Sequence, residues 1–378
     1  MMCASQPVSA CFRSVAPALN SMSAAWAATA TMRRGSDIGT SRRVARRDSR
    51  RREGRPSRGR RRPCGECAHG LGYGEGGAGV NCIWITVDSF RQDHTHCYRP
   101  EGTLDPSGES LRVQTPSLDR LAREGVLFER LRSEALPTIP CRRGSFTGRR
   151  VFPWPAEPPR KGEYITAPGW RPLPEEDVTV AEHLSAHGYV CALVADCYHL
   201  MKPAQNFHRG FQSWQWERGQ EYDMWQTTPL PEGYLEMFLK PGTQLTDARG
   251  RVLTQYLQNQ FHRTGDEDYQ AARTFRRAIE WLERNHAQER FFLYIDSFDP
   301  HEPWEAPDEF LNLYDPGWRG PRLIYANLYR REDLPAEEHH HVRARYAAEC
   351  TLVDHWVGEL LGAVDRLGLA ETTLIVLV

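Results

Sequence analysis

The sequence lacks several features that mark membrane-spanning and disulfide-rich proteins. It contains no run of about 18 apolar residues, so neither a transmembrane helix nor a membrane partner is expected. Its ten cysteines are scattered along the chain and show none of the compact spacing of a disulfide framework. Because such frameworks belong to oxidising compartments, the sequence favours a cytoplasmic location.

Lysine is absent from the first 80 residues, and acidic residues are few there. This stretch holds 15 arginines against 5 aspartates or glutamates, whereas the whole chain has a net charge of −1. The remainder is therefore acidic, with a net charge of about −11. Since an acidic body does not favour nucleic acid, no nucleic-acid partner is expected.

The same arginine-rich stretch differs from the rest of the chain in its lack of large apolar residues. Fourteen of its arginines lie between Arg33 and Arg62. A segment of this composition cannot bury enough apolar surface to offset its conformational entropy. Residues 1–79 are therefore predicted to be a disordered extension, with a nucleic-acid-binding tail or a transit-like segment as alternatives. Residues 80–378 are predicted to form one folded domain.

Apolar runs of strand length alternate with amphipathic segments of helix length from Asn81 onward. The pattern predicts strands over 82–87, 189–195, 291–298 and 373–378, and helices over 115–125, 178–187, 269–286 and 346–367. Residues 126–128 are expected to lead into a further strand. This alternation is typical of an α/β fold with a mostly parallel central sheet and helices on both faces. Ligands of such sheets bind beyond the carboxyl ends of the strands.

Asp88 directly follows the first apolar strand and is the first candidate for chemistry. A carboxylate at that sheet edge can reach a metal ion. The equally simple alternative is an aspartate that only caps the end of the strand.

Thr138 lies at the start of a second candidate segment, residues 138–149. Pro140 suits the first turn of a helix, because its missing N–H would have no partner there. A hydroxyl at such an N-terminus faces unpaired amides and the positive end of the helix dipole. An anion beside Thr138 would therefore be favoured.

Four segments in order resemble the N-terminal catalytic part of the sulfatase family, within the alkaline phosphatase superfamily. The four segments are residues 83–93, 115–128, 138–149 and 297–304. The resemblance implies an alkaline-phosphatase-like fold, here incomplete at the C-terminus, and a truncated catalytic domain over residues 80–378. It also implies a hydrolase of small-molecule or carbohydrate sulfate esters, and it leaves the oligomeric state open.

The resemblance assigns roles residue by residue. Asp88 would be a metal ligand, and Thr138 would occupy the nucleophile position and also contact the metal. Arg142 would support the nucleophile. His301 would bind the sulfate or act on the leaving group, and His199 would be the other active-site histidine. The implied cofactor is a divalent metal, calcium first, with manganese or zinc as alternatives.

The chain departs from the family pattern at several positions. Thr138 stands where sulfatases have the cysteine that becomes formylglycine, Cys197 stands in place of a lysine, and Ser89 replaces an acidic residue. The sequence stops at Val378, where the family continues into a segment with further metal ligands. The 378-residue chain is therefore expected to be nearly inactive.

These departures leave two alternatives to a sulfatase open. One is a phosphodiester or phosphonate monoester hydrolase of the same superfamily, which uses a threonine nucleophile directly. The other is an inactive fragment or a non-catalytic binding protein that retains the fold.

Overall fold

The structure is a computed structural model, and it describes residues 79–104, 110–152, 169–245 and 247–378. The predicted disordered extension lies outside the described residues, except for Gly79.

A five-stranded parallel sheet forms the centre of the described domain. The described residues form seven strands in all, five of them in this sheet: β1 (Asn81–Val87), β2 (Thr103–Leu104), β3 (Ser110–Leu111), β4 (Val190–Ala195), β5 (Ser213–Trp216), β6 (Phe291–Ser297) and β7 (Thr373–Leu377). The sheet order is β5-β4-β6-β1-β7, and every neighbouring pair is parallel. The two shortest strands, β2 and β3, form a separate antiparallel pair. The predicted α/β fold with a mostly parallel sheet is confirmed.

Eight α-helices surround this sheet within the described ranges. They are α1 (Pro116–Glu124), α2 (Thr138–Thr147), α3 (Val180–Ala186), α4 (Tyr198–Met201), α5 (Ala248–Gln260), α6 (Gln270–Asn285), α7 (Asp308–Leu311) and α8 (Ala336–Arg366). A capping box begins α3, in which the Thr179 hydroxyl accepts from the Glu182 amide and the Glu182 carboxylate accepts from the Thr179 amide. The predicted helices lie within one or two residues of these bounds, apart from α8, which begins ten residues before its predicted start at Tyr346.

Each face of the sheet packs against its own hydrophobic core. Side chains alternate across β1, so that Ile83 and Ile85 point to the core under α6 and α8, while Trp84 points to the core under α2 and α3. All three are buried. Burial on both faces explains why the strands are continuous apolar runs.

The segment 126–128 does not form the predicted strand. Its side chains Val126, Leu127 and Phe128 are 50%, 38% and 44% exposed. Its backbone bonds to side chains rather than to a strand, since the Tyr98 hydroxyl donates to the Phe128 carbonyl. The prediction was wrong because an apolar run becomes a strand only where a partner strand supplies its hydrogen bonds.

The carboxyl ends of the central strands meet at one edge of the sheet. Asp88 follows β1, Asp196 follows β4, and Asp296 and Ser297 close β6. Because the strands are parallel, residues at these ends lie side by side. None of the described helices is both long and apolar enough to span a bilayer.

Candidate active site

The turn after β1 fixes Asp88. Ser89 adopts a left-handed backbone conformation with φ of 58°, and its hydroxyl donates to Asp88 Oδ1 at 3.0 Å. The Tyr346 hydroxyl of α8 donates to the Ser89 carbonyl at 2.7 Å and accepts from the Arg91 amide at 2.8 Å. A left-handed conformation is costly for a residue other than glycine, so the surrounding contacts hold this turn in place.

Helix α2 begins at Thr138, as the sequence predicts, and brings its hydroxyl to Asp88. Thr138 is buried, and its side chain is among the groups that lower the pKa of the Asp88 carboxyl. Pro140 lies in the first turn of the helix, where no intrahelical acceptor is lost. Gly148 ends the helix in the left-handed conformation with φ of 62°.

Arg142, one turn further along α2, bridges two carboxylates at the sheet edge. Its Nε and Nη2 donate to the two oxygens of Asp296 at 2.8 and 2.9 Å, and Nη2 lies 3.1 Å from Asp88 Oδ2. Burial lowers the pKa of this guanidinium, but the two carboxylates raise it well above its ordinary value. Arg142 is therefore a fixed buried cation that ties α2 to the ends of β1 and β6.

The two carboxylates around Arg142 ionise differently. Burial raises the pKa of Asp88, yet Arg142, His301 and the hydrogen bonds to Asp88 outweigh it and leave that pKa below its ordinary value. Burial also raises the pKa of Asp296, which is fully enclosed, and Arg142 only partly offsets this. Asp88 is thus the more firmly anionic of the two.

Asp296 is a site residue that the sequence argument missed. The apolar pattern of residues 291–298 predicts only a buried strand there, although a carboxylate in the run of β6 has no ordinary place in a core. The same signal, an aspartate at the end of a buried strand, had identified Asp88. Applied to β6, it would have identified Asp296.

His301 lies on the loop after β6 and faces the same site. Its ring stacks on Phe298 at 4.3 Å between centroids, and its Nδ1 lies 2.9 Å from the Glu302 carbonyl. Burial lowers its pKa, but Glu302, Asp88 and Glu221 together raise it above the ordinary value. The imidazole is therefore biased toward its protonated, cationic form.

His199 reaches the site from α4, the short helix after β4. Its Nε2 lies 3.1 Å from Glu221 Oε2, and its ring contacts Phe298, the residue on which His301 stacks. Glu221 has φ of 42°, again the left-handed region. The sequence offers residues 218–223, which include Glu221, only as a loop near the strand ends that could shape substrate binding, and it assigns no role to Glu221 itself.

Cys197, at the position of the family's lysine, is part of the core. Its side chain is fully buried, and burial raises the pKa of the thiol well above its ordinary value. Cys197 therefore stays neutral and supplies no cation to the site.

The structure brings all five residues predicted from the sequence to one edge of the sheet. Thr138, Arg142 and His301 each interact with Asp88, and His199 joins them through Glu221 and Phe298. The arrangement combines a hydroxyl at a helix N-terminus, a buried cation and two histidines. Such a set can attack an anionic ester and protonate its leaving group.

A divalent cation finds only part of a site among the described residues. The buried, anionic Asp88 carboxylate could bind a cation, although its Oδ2 already lies 3.1 Å from Arg142 Nη2. However, the described residues contain no group of three or more histidines, cysteines or carboxylates that could hold a metal. Asp88 and Thr138 offer two oxygen-bearing side chains, whereas a calcium ion takes about six to eight oxygens. These residues alone therefore do not complete a metal site.

Comparisons with known proteins place these observations in a family. Residues 80–378 match a family model described as Sulfatase. Iduronate 2-sulfatase from Homo sapiens is 25% identical over 327 residues, which cover 78% of this chain and 53% of that protein. The ulvan-active sulfatase from Formosa agariphila is 26% identical over 298 residues, which cover 78% of this chain and 49% of that protein.

A solved structure supports the fold. The phosphonate monoester hydrolase of Agrobacterium radiobacter has a TM-score of 0.53 and 19% identity, with 79% of this chain and 62% of that chain covered. The chain spans about half the length of the curated relatives it matches.

Proposed function

The chain belongs to the sulfatase family, and we propose that the protein hydrolyses sulfate esters with Thr138 as the nucleophile. The observation that carries the proposal is the placement of the Thr138 hydroxyl, at the N-terminus of α2 and against the Asp88 carboxylate. The amides of the first helical turn favour an anion at this edge of the sheet.

In the first step, Thr138 Oγ attacks the sulfur and the bond from sulfur to the alcohol oxygen breaks. His301 donates a proton to the departing oxygen, because it faces the site and its pKa is raised. His199 accepts the Thr138 proton, since α4 packs against α2 and Glu221 stabilises the imidazolium that forms. The products are the free alcohol and a sulfate ester of Thr138.

In the second step, water attacks the sulfur of that ester and restores the Thr138 hydroxyl. His199 returns its proton to Thr138 Oγ, and His301, now neutral, takes one from the attacking water. Hydrogen sulfate leaves, and both histidines regain their starting states. Arg142 holds Asp88 and α2 in place throughout, as a positioning residue that forms no bond with the substrate.

We further propose that the full-length protein binds a divalent cation, calcium by ligand type, through Asp88 Oδ2 and Thr138. The buried and firmly anionic carboxylate of Asp88 supports this proposal. The remaining ligands would come from outside the described residues. A calcium-dependent rise in the melting temperature that Asp88→Asn removes would support it, whereas identical rises in both proteins would contradict it.

We propose a carbohydrate sulfate as the substrate class. Two relatives are named for such compounds, the one for iduronate and the other for ulvan. The cytoplasmic location stays a prediction.

The second candidate function is hydrolysis of phosphonate monoesters or phosphodiesters. Thr138 itself favours it, because a threonine hydroxyl attacks without prior oxidation to formylglycine. A non-catalytic role stays the third alternative.

The test compares two esters that share one leaving group but differ in the acid that is transferred, and it includes two variants. The full-length protein is assayed with 4-nitrophenyl sulfate and with the phenyl phosphonate ester of 4-nitrophenol. We expect greater kcat/KM for the sulfate, loss of turnover in Thr138→Ala, and normal turnover in Thr147→Ala. Thr147 is the matched control because it lies at the other end of α2, where its hydroxyl donates to the Arg143 carbonyl.

Three results would contradict the proposal. A preference for the phosphonate ester would favour the second candidate. Turnover in Thr138→Ala would move the nucleophile elsewhere. If the full-length protein hydrolyses neither ester, the non-catalytic alternative would be favoured. The same assay on the 378-residue chain measures its expected near-inactivity.

A further inference from the structure

Two buried carboxylates at the same edge of the sheet take no part in the proposed reaction. Asp196 follows β4, and its Oδ1 accepts from the Phe298 amide at 2.6 Å. Asp299 lies after β6, and its Oδ2 accepts from the Ala271 amide, in the first turn of α6, at 3.0 Å. Burial, and then the charge of Asp299, raise the pKa of Asp196 well above its ordinary value. Carboxylates buried in this way need further hydrogen-bond donors.

Gln220 supplies such a donor from the loop that follows β5. Its side chain is buried, and its Nε2 donates to Asp299 Oδ1 at 2.5 Å. It is also among the groups that lower the pKa of Asp196. A neutral amide carries two N–H donors, so it can serve two carboxylates without adding a third negative charge. The Gln220 side chain therefore anchors its loop at the edge of the sheet.

The next residue, Glu221, makes the contact with the proposed base. Its Oε2 lies 3.1 Å from His199 Nε2, and both side chains are largely buried. Its φ of 42° is in the left-handed region, which is costly for a residue with a Cβ and persists only where neighbouring contacts hold it. Gln220, directly before Glu221, supplies one such contact.

Hydrogen bonds from α5 hold the residues on either side of this pair. Asn259 donates to the carbonyls of Gly219 and Asp223 at 3.2 and 2.7 Å, and Gln260 donates to the Gly219 carbonyl at 2.7 Å. The Asp223 amide donates to the Gln220 carbonyl at 2.8 Å. Helix α5 thus fixes the two flanks of the loop, whereas the Gln220 side chain fixes its middle against the sheet.

The position of Glu221 decides how His199 can act. A carboxylate beside Nε2 favours the tautomer that is protonated on that nitrogen, and it leaves Nδ1 as the basic nitrogen. It also restrains the rotation of the ring. Displacement of Glu221 would therefore loosen the imidazole without removing any group that touches the substrate.

We propose that Gln220 is a positioning residue, which bonds Asp299 and thereby holds Glu221 against Nε2 of His199. The inference rests on the proposed function, in which His199 accepts the Thr138 proton. It deepens that function, because it gives the orientation of the base a cause that lies outside the reacting groups.

The test is a double-mutant cycle, read from the ¹H NMR signal of the His199 Nε2–H proton in the full-length protein. His199→Gln identifies the signal by removing it. A nearby carboxylate moves such a signal downfield, so Glu221→Gln should move it upfield. Gln220→Met keeps the size of the side chain but has no N–H donor, and we expect it to move the signal upfield as well. The double variant should move it no further than Glu221→Gln alone.

Activity provides a second readout. With an aryl sulfate, Gln220→Met should lower kcat about tenfold and leave KM nearly unchanged, a loss typical of removing the partner that orients a functional histidine. Gln212→Met is the matched control, because Gln212 precedes β5 at the opposite edge of the sheet and its amide donates to the Ser185 hydroxyl at 2.8 Å. It should change neither the signal nor turnover.

A second variant covers the case in which Gln220→Met does not fold. Gln220→Asn keeps the amide but is one methylene too short to reach Asp299, so it should move the signal in the same direction. An unchanged signal in the folded variants would overturn the inference, as would shifts that add in the double variant. A wild-type spectrum from which His199→Gln removes no signal would overturn it too, because Glu221 would then not hold the Nε2 proton.

The result is separable from the proposed reaction. A protein that hydrolyses no sulfate ester, but whose shifts at His199 are shared rather than additive, would support the role of Gln220 and refute the reaction. A protein whose turnover requires Thr138, but whose His199 signal ignores Gln220→Met, would support the reaction and refute the role of Gln220.

Discussion

Replacing Arg142 by methionine should strongly destabilise the protein. The guanidinium is 4% exposed and is bound to two carboxylates, with Asp88 at 10% and Asp296 at 0% exposure. Removal of one partner from a buried ion pair leaves uncompensated charge and typically costs about 3–5 kcal/mol. Because two carboxylates lose their cation here, we expect Arg142→Met to lie in that range. Urea unfolding followed by tryptophan fluorescence measures the loss.

A neighbouring arginine provides the control. Arg143 is 24% exposed and donates one hydrogen bond to Asp177, which Arg149 also contacts. Arg143→Ala should therefore cost no more than about 1 kcal/mol. Adding Asp296→Asn to Arg142→Met should recover part of the loss, since it removes one of the two unpaired charges.

The effect of Arg142→Met should also depend on pH. Burial raises the pKa of Asp88, but Arg142 outweighs it and holds that pKa below 3.8 in the folded protein. A lowered folded pKa contributes stability above the unfolded pKa, and that stability is lost as pH falls through the folded value. In the variant the pKa of Asp88 rises, so the deficit should be largest near neutral pH and should shrink as the pH falls toward 4. A loss below about 1 kcal/mol at neutral pH, or a deficit independent of pH, would refute this account of Arg142.

Three further predictions concern stability. Gly210→Ala should lower the free energy of unfolding by more than about 2 kcal/mol, because φ is +85° and a Cβ would overlap the backbone of Glu182. Gly148→Ala is the comparison: φ is +62° but a Cβ would meet open space, so the same urea titration should show a loss of about 1 kcal/mol. Thr179→Ala should lower the free energy of unfolding by about 1 kcal/mol through loss of the α3 cap, and an unchanged unfolding midpoint would contradict the capping role. Burial raises the pKa of Asp354 to about 6, so the folded protein binds the carboxyl proton of Asp354 more tightly than the unfolded chain does. The free energy of unfolding should therefore fall by about 2 kcal/mol as the pH rises from 4 to 6. Asp354→Asn should remove that fall, and equal pH profiles for both proteins would show that Asp354 does not titrate in this window.

The sequence was sufficient for four of the five strands of the central sheet and for the residues in recognisable segments, whereas β5 was not predicted. Apolar runs predicted β1, β4, β6 and β7 to within about a residue because burial on both faces leaves little room for polar side chains. Asp88 was found because it directly follows a buried strand, at the sheet edge where ligands bind. Thr138 was found because its segment resembles the nucleophile segment of the sulfatase family.

Other features depend on contacts that are distant in sequence. The first turns of α8, residues 336–345, are rich in polar residues, so the apolar spacing indicated a helix only from Tyr346 onward. In the structure His341 is fully buried in that region and lies 2.7 Å from Asp315. Glu221 reaches His199 only because buried amides of α5 hold its loop. No local pattern records either contact.

The central claim is that Thr138 carries the sulfate group between the two steps of the reaction. Mass spectrometry of the full-length protein, acid-quenched during turnover of an aryl sulfate, tests it most directly. We predict that the peptide containing Thr138 gains the mass of one SO₃ group and that Thr138→Ala shows neither this adduct nor turnover. Turnover by the wild-type protein with no adduct at Thr138, together with turnover by Thr138→Ala, would contradict the claim.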